Sequence, residues 1–224
     1  DSVNVSVVPS VINTIMMAAV TLLIVVPVGI GAAIYTSEYA RRGSKVVKVV
    51  RITTETLQGI PSIVYGLFGL LFFVNAMKWG QSMLAGAFTL AIMVLPVIMR
   101  TTEEALQSVP DSYREASFGL GAGKLRTVIR VVLPPAVPGI LSGVILAIGR
   151  IVGETAALIY TSGTVAKIPK GLMGSGRTIA LHMWVLANEG LHEDKAYATA
   201  VILLILVIVI NFLSNQLARK LASA

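Results

Sequence analysis

The sequence predicts an all-α, polytopic transmembrane bundle, and three observations carry that prediction. Mean hydropathy is +0.83 and only 13% of the residues are charged. A water-soluble domain with so little charge would be covered in sticky apolar patches, whereas lipid solvates such an exterior. Five stretches approach the ~20 apolar residues that a spanning helix needs. The basic residues fall between those stretches, and fall unequally.

The first stretch, residues 11–34, carries no charge. Pro27 within it removes one helix hydrogen bond, which neighbouring helices make good in a membrane. Residues 60–77 and 82–99 form the second and third stretches, also uncharged, with Pro96 near the end of the third. The fourth, residues 139–159, contains Arg150 and Glu154, and the fifth, residues 196–213, is rich in Val, Ile and Leu. Gly66 and Gly69 in the second, and Gly139 and Gly143 in the fourth, suit close approach between helices. Trp79 and Trp184 fall near predicted membrane boundaries, where aromatic anchors belong.

Between the spans, residues 36–59 hold Arg41, Arg42, Lys45, Lys48 and Arg51, and residues 100–138 hold Arg100, Arg114, Lys124, Arg126 and Arg130. The tail adds Arg219 and Lys220. The opposite side has only Lys78 in one turn, then Lys167, Lys170, Arg177 and Lys195 in residues 160–195, partly offset by Glu189, Glu193 and Asp194. The excess of Lys and Arg makes the first side cytoplasmic, with the N-terminus outside and the C-terminus inside. The chain begins at Asp1 with no basic leader, so an outward N-terminus predicts a sixth, preceding helix in the full protein.

A net charge of +7 invites a nucleic-acid reading. The charges lie between apolar runs rather than along one stripe, so membrane orientation explains them and no nucleic-acid partner is expected. Absence of Cys excludes a disulfide framework and a thiolate metal site. His192-Glu193 would need His at position 196 for a zinc-protease pattern, and that residue is Ala196. His182 and His192 therefore read as surface or interface histidines, with no metal site. Glu103 and Glu104 read as a solvated extension of the third helix.

The loop of residues 100–138 is too polar for lipid and too patterned for a linker. Pro110 precedes a helix start, with Asp111 or Ser112 as cap and Glu115 in the first turn, where a carboxylate suits the helix dipole. Gly119, Gly121 and Gly123 interrupt it. A second amphipathic segment, residues 124–132, puts Leu125, Val128, Ile129 and Val132 on one face, and Leu133-Pro134-Pro135 is expected to end it. The prediction is a helix–turn–helix on the cytoplasmic face. Gly121-Ala122-Gly123-Lys124 mimics part of a phosphate-binding P-loop. That motif needs Gly where Phe118 stands and Ser or Thr where Leu125 stands, so no ATP binds there.

Glu115-Ala116-Ser117, then Gly121, then Val131-Val132-Leu133-Pro134 resembles the EAA loop of ATP-binding-cassette importer permeases. Ser117 replaces the usual second alanine and Val131 the usual isoleucine. The resemblance implies a single membrane domain over residues 1–224 whose loop docks into a cleft of an ATP-hydrolysing subunit. Glu115, Ala116, Ser117, Gly121, Leu133 and Pro134 would then form the coupling element. It also implies that this chain is not an enzyme and binds no cofactor, ATP and Mg being held by a dimer of partner ATPase subunits.

Arg150 and Glu154, four residues apart, fall on one face of a continuous helix. Charges at that depth cost roughly 2.5–3.5 kcal/mol each on insertion scales, so a polar cavity or a partner is required. One reading is a self-neutralising structural pair. The other has Arg150 meet a passing anion, since guanidinium matches phosphate oxygens in a bidentate fork, with Glu154 orienting it. Arg150-Ile151-Val152-Gly153-Glu154-Thr155 is similar to the Arg-x-x-Gly-Glu-Thr segment of phosphate importer permeases. The segments from Ile34 to Ala40 and from Thr178 to Trp184 are similar to the same family, the latter to its A-type subunits.

The resemblance implies a phosphate permease of the cytoplasmic membrane, with Arg150, Glu154 and Thr155 on the pathway. Its partners would be a second permease subunit, homologous C-type or identical, an extracytoplasmic phosphate-binding protein docking near Lys167, Lys170 and Arg177, and the lipid bilayer. A permease for sulfate or molybdate, and a non-conducting sensor or scaffold, remain alternatives at this stage.

Overall fold

The computed structural model describes residues 6–41, 43–190 and 193–222, and regular structure among them is entirely helical. The first predicted span is α1 (Val8–Ile34), continued by a π-helical turn (Tyr35–Tyr39). α2 (Lys45–Gln58) is amphipathic and buries none of its side chains. Beyond Gly59-Ile60-Pro61 comes α3 (Ser62–Gly69), which continues as a π-helical segment (Leu70–Ala76). α4 (Met83–Gln107), α5 (Asp111–Gly119), α6 (Lys124–Thr127), a third π segment (Val128–Val132), α7 (Leu133–Gly153), α8 (Ala156–Thr161), α9 (Ile179–Glu189) and α10 (Glu193–Ala222) follow.

Four helical stretches among the described residues are long and apolar enough to cross a bilayer: Val8–Tyr39, Met83–Gln107, Lys124–Gly153 and Glu193–Gln216. The second predicted span is shorter. Its eight α-helical and seven π-helical residues rise at most about 22 Å against a hydrocarbon core of about 30 Å. It counts as a span only together with α2, as a broken one.

The fourth span departs from expectation at both ends. Leu133-Pro134-Pro135 does not stop the helix, which runs unbroken from Lys124 to Gly153. A proline normally collides with the carbonyl four residues back. Here the π segment widens the preceding turn, and the Leu133 N–H bonds to the Val128 carbonyl, five residues back. Pro134 and Pro135 therefore fall in the first turn of α7, where a missing N–H is best tolerated. At the other end α7 stops at Gly153 rather than at residue 159.

The chain divides into two compact units. One comprises Asp1–Val25, Gly59–Val94 and Ile148–Ile210. In it, α3 packs on α8 through the predicted small residues. A Cβ at Gly66 would lie 2.9 Å from Ala157 Cα, and one at Gly69 would lie 2.6 Å from Thr161 Cγ2 and run into Thr89 Oγ1. Trp79 stacks on Phe73 with centroids 5.4 Å apart, and Phe88 closes that cluster. The free amides opening α4 are satisfied from the 160–178 segment and α8: Ser82, Met83 and Leu84 donate to Thr161, Gly174 and Leu172 carbonyls at 2.9, 3.0 and 2.8 Å.

The other unit comprises Val26–Gln58, Leu95–Ala147 and Asn211–Ala224. Here α4 and α7 meet at Gly139, whose Cβ would lie 2.6 Å from Ala105 Cβ, and at Gly143, whose Cβ would run into Thr101 Oγ1. Leu106, Val109, Val132, Ala136 and Ile140 form its core, with Ile30, Ile34 and Leu133 against it.

Candidate functional site

The loop singled out by its spacing folds as two short helices around a tight turn. α5 begins at Asp111, its first helical residue rather than its cap. It ends in a Schellman arrangement: the Ala122 N–H bonds to Ser117 O at 3.1 Å and the Gly121 N–H to Phe118 O at 2.9 Å. Gly121 sits at φ +80°, a left-handed conformation that only glycine adopts without strain. Ser117, which departs from the alanine of the motif, is buried and shares a 2.8 Å hydrogen bond with Thr127 Oγ1, tying α5 to α6.

Glu115 and Ala116 are exposed, as are Tyr113 and Phe118, and Leu120 is 90% exposed. The predicted apolar face of residues 124–132 divides. Val128 and Val132 are buried, while Leu125 and Ile129 point outward. Leu133 packs on the core, and Pro134 is exposed within the continuous helix.

Behind this loop lies a charged network that the sequence reading missed. Arg114 forms a fork with Glu38 of the π turn, Nη2 to Oε1 at 2.6 Å and Nε to Oε2 at 3.2 Å. The two side chains are only 15% and 8% exposed. Arg114 Nη1 and Nη2 also donate to the carbonyls of Val109 and Leu106, at 2.8 and 2.9 Å, satisfying the end of α4. The hydrogen bond with Glu38 pushes the Arg114 guanidinium above its usual pKa, with burial opposing.

Lys124 Nζ lies 5.3 Å from the centroid of the Tyr39 ring. Glu103, expected on a solvated extension, instead accepts a hydrogen bond from Thr36 Oγ1 and pairs with Arg51 at 3.5 Å. Glu104 is exposed and pairs with Arg100 at 2.9 Å, as expected of such an extension. The Glu-Tyr-Ala run directly after the first apolar stretch was the available signal for Glu38, but its partner lies 76 residues away.

Arg150 and Glu154 are half-buried but do not share a helix face. α7 ends at Gly153, and the Glu154 carboxylate turns to accept the Ala157 N–H at 3.1 Å, opening α8. No ion pair joins Arg150 to Glu154 among the described residues. Two glycines, Gly149 and Gly153, weaken the helix just where Glu154-Thr155 caps the next one. Thr155 O accepts from Leu158 and Ile159 at 3.1 Å. Tyr65 of α3 interacts electrostatically with Arg150. Arg150 thus lies in the last turn of α7, just before the break at Gly153.

In the 160–195 segment, Lys167 and Lys170 are exposed. Arg177, expected alongside them, is only 4% exposed. Burial lowers its guanidinium pKa, with Glu189 opposing. The segment folds back on α1: Asn13 Nδ2 donates to Lys167 O and Arg177 O at 3.0 and 3.2 Å, and the Ile179 N–H bonds to Thr14 Oγ1 at 2.9 Å. His182 is buried as well, where a surface or interface position was expected. His192 lies outside the described residues.

The family profile described as "Binding-protein-dependent transport system inner membrane component" matches residues 25–223. The chain is 37% identical over 225 residues to the "Probable ABC transporter permease protein YqgI" of Bacillus subtilis (strain 168), covering 93% of this chain and 76% of that protein. It is 35% identical over 202 residues to the "Phosphate transport system permease protein PstA 1" of Mycobacterium tuberculosis (strain CDC 1551 / Oshkosh), covering 89% of this chain and 66% of that protein. Among solved structures, a chain of the MetNI methionine ABC transporter, captured in inward facing conformations, superposes with a TM-score of 0.76 at 22% identity, covering 96% of this chain and 94% of that one. At that identity the likeness is one of fold.

Proposed function

Because this chain belongs to the family of binding-protein-dependent transport system inner membrane components, and so is a multi-pass permease subunit of an ATP-binding-cassette importer, we propose that its cargo is inorganic phosphate. The observation that carries the cargo is Arg150, a guanidinium held at a break in an otherwise apolar span with its nearest acidic neighbour engaged elsewhere. A fixed guanidinium receives two phosphate oxygens at once, and the broken helix at Glu154-Thr155 offers polar main chain beside it. Relatives named as phosphate transport permeases support the same reading.

In this reading the loop around Glu115 is cytoplasmic and docks an ATPase dimer, which holds the ATP and Mg. Phe118, Leu120, Leu125 and Ile129 supply the apolar contact. A second permease subunit, identical or homologous, completes the pathway, and an external phosphate-binding protein meets the exposed Lys167 and Lys170. Closure of the ATPase pair pushes the loop, the helices tilt from inward-open to outward-open, and hydrolysis resets them. This chain does no chemistry itself.

The test is uptake of radiolabelled phosphate by the complete complex in vesicles, with sulfate and molybdate as competitors. Arg150→Gln is expected to lower uptake at least tenfold, the equivalent of one charge-assisted contact, with the complex still assembled. Undiminished uptake, or equal competition by sulfate, would overturn the assignment.

A further inference from the structure

We infer that the π-helical turn Tyr35–Tyr39 is the drive link that carries movement of the coupling loop into α1. The inference rests on the reading of the Glu115 loop as the ATPase contact. Three side chains of this five-residue turn reach three different elements around the loop. Thr36 bonds to Glu103 on α4, Glu38 forks with Arg114 on α5, and Tyr39 lies beneath Lys124 of α6. The turn itself buries no residue. The turn's own side chains are therefore tied to the loop by this polar set, while Ile30 and Ile34 just before it pack on the apolar core with Val132 and Leu133.

The Glu38–Arg114 fork dominates the set. It is bidentate and nearly buried, so separating the partners would strand a charge out of water. A loop pushed from below must either take the turn with it or break that pair. The π geometry suits the part, since such single turns within helices recur at functional sites. Tyr39 and Lys124 form the weaker, more exposed tie.

The natural chain contains no cysteine, so a single Val28→Cys on α1, an exposed position, reports movement of that helix by its rate of thiol labelling. In the complete complex, a non-hydrolysable ATP analogue should change that rate at least threefold. Glu38→Gln and Arg114→Gln should each abolish the change while the ATPase still co-purifies, and the double variant should be no worse than either single one. Tyr39→Leu, which strands no charge, should reduce the change only in part and decides the matter should the neutral variants fail to assemble. No analogue-dependent change in the parent, or a full change in the Glu38, Arg114 and Tyr39 variants, overturns the inference. Glu115→Trp is the companion control: an ATPase that stays bound to it sinks the reading of the loop itself, and the link with it.

Discussion

Gly66 is where α3 and α8 touch main chain to main chain, and replacing it with alanine gives the cleanest measure of how that contact is built. Its Cβ would stand 2.9 Å from Ala157 Cα and 3.1 Å from the carbonyl oxygens of Ala156 and Ala157. Carbon atoms rest at about 3.5–4.0 Å, so the helices must part by about 0.6–1 Å. The obstacle cannot rotate aside, because it is backbone whose carbonyl already accepts Thr161 Oγ1 at 2.8 Å. Overpacking of this kind costs about 1–3 kcal/mol. Loss of glycine's freedom in the unfolded chain returns about 0.4–1 kcal/mol, leaving a net destabilisation of up to about 2.6 kcal/mol, about 1.3 kcal/mol at mid-range. Gly149, also helical and in the same unit, has nothing within 4 Å of a Cβ. Gly149→Ala should therefore keep only the gain. Thermal unfolding of the purified chain in detergent, followed by the fluorescence of Trp79 and Trp184, separates the two. Gly66→Ala should melt below the parent and Gly149→Ala at or above it. Equal midpoints would mean that α3 slides on α8 at no cost, and the argument from close packing would fail.

Two further outcomes follow from the same geometry. Leu120→Lys, at a position 90% exposed, should leave chain stability within about 0.5 kcal/mol yet lower ATPase co-purification at least tenfold; retained binding would remove Leu120 from the docking face. Asn13→Ala deletes the donor to Lys167 O and Arg177 O and should cost about 1–3 kcal/mol, read as faster amide hydrogen exchange across residues 163–178, whereas unchanged protection would show that the segment is held by other contacts.

What the sequence made legible was local. Long apolar runs, the glycine pairs of the second and fourth spans, and the spacing from Glu115 to Pro134 all act within a few turns of themselves. What escaped it depends on residues far apart. Arg114 was read as one more basic residue of an inward loop, because Glu38 lies 76 positions earlier. Glu103 was assigned to solvent because nothing nearby announces Thr36. Arg177 was read as part of a docking surface and His182 as a surface or interface histidine, yet both are buried where the segment folds back on Asn13 and Thr14. The prolines after Leu133 misled for a different reason: the rule that proline stops a helix assumes a regular turn before it, and a π turn precedes these. The break at Gly153 was readable in principle, since glycine followed by Glu-Thr is the signature of one helix ending and another being capped.

The loop's polarity argues for its role independently of the motif. A loop that merely oriented a membrane protein would send its charges to water and turn its apolar side chains inward. Lys124, Arg126 and Arg130 do face outward, as orientation requires. Phe118, Leu120, Leu125 and Ile129 face outward as well, while Ser117, Thr127 and the Arg114–Glu38 fork are turned in. Buried hydrogen bonds and an ion pair that hold four large apolar side chains outward are what the proposed ATPase-docking face would need. The rigidity behind the surface serves the same end, because a face that must transmit a push has to be backed by contacts that do not yield.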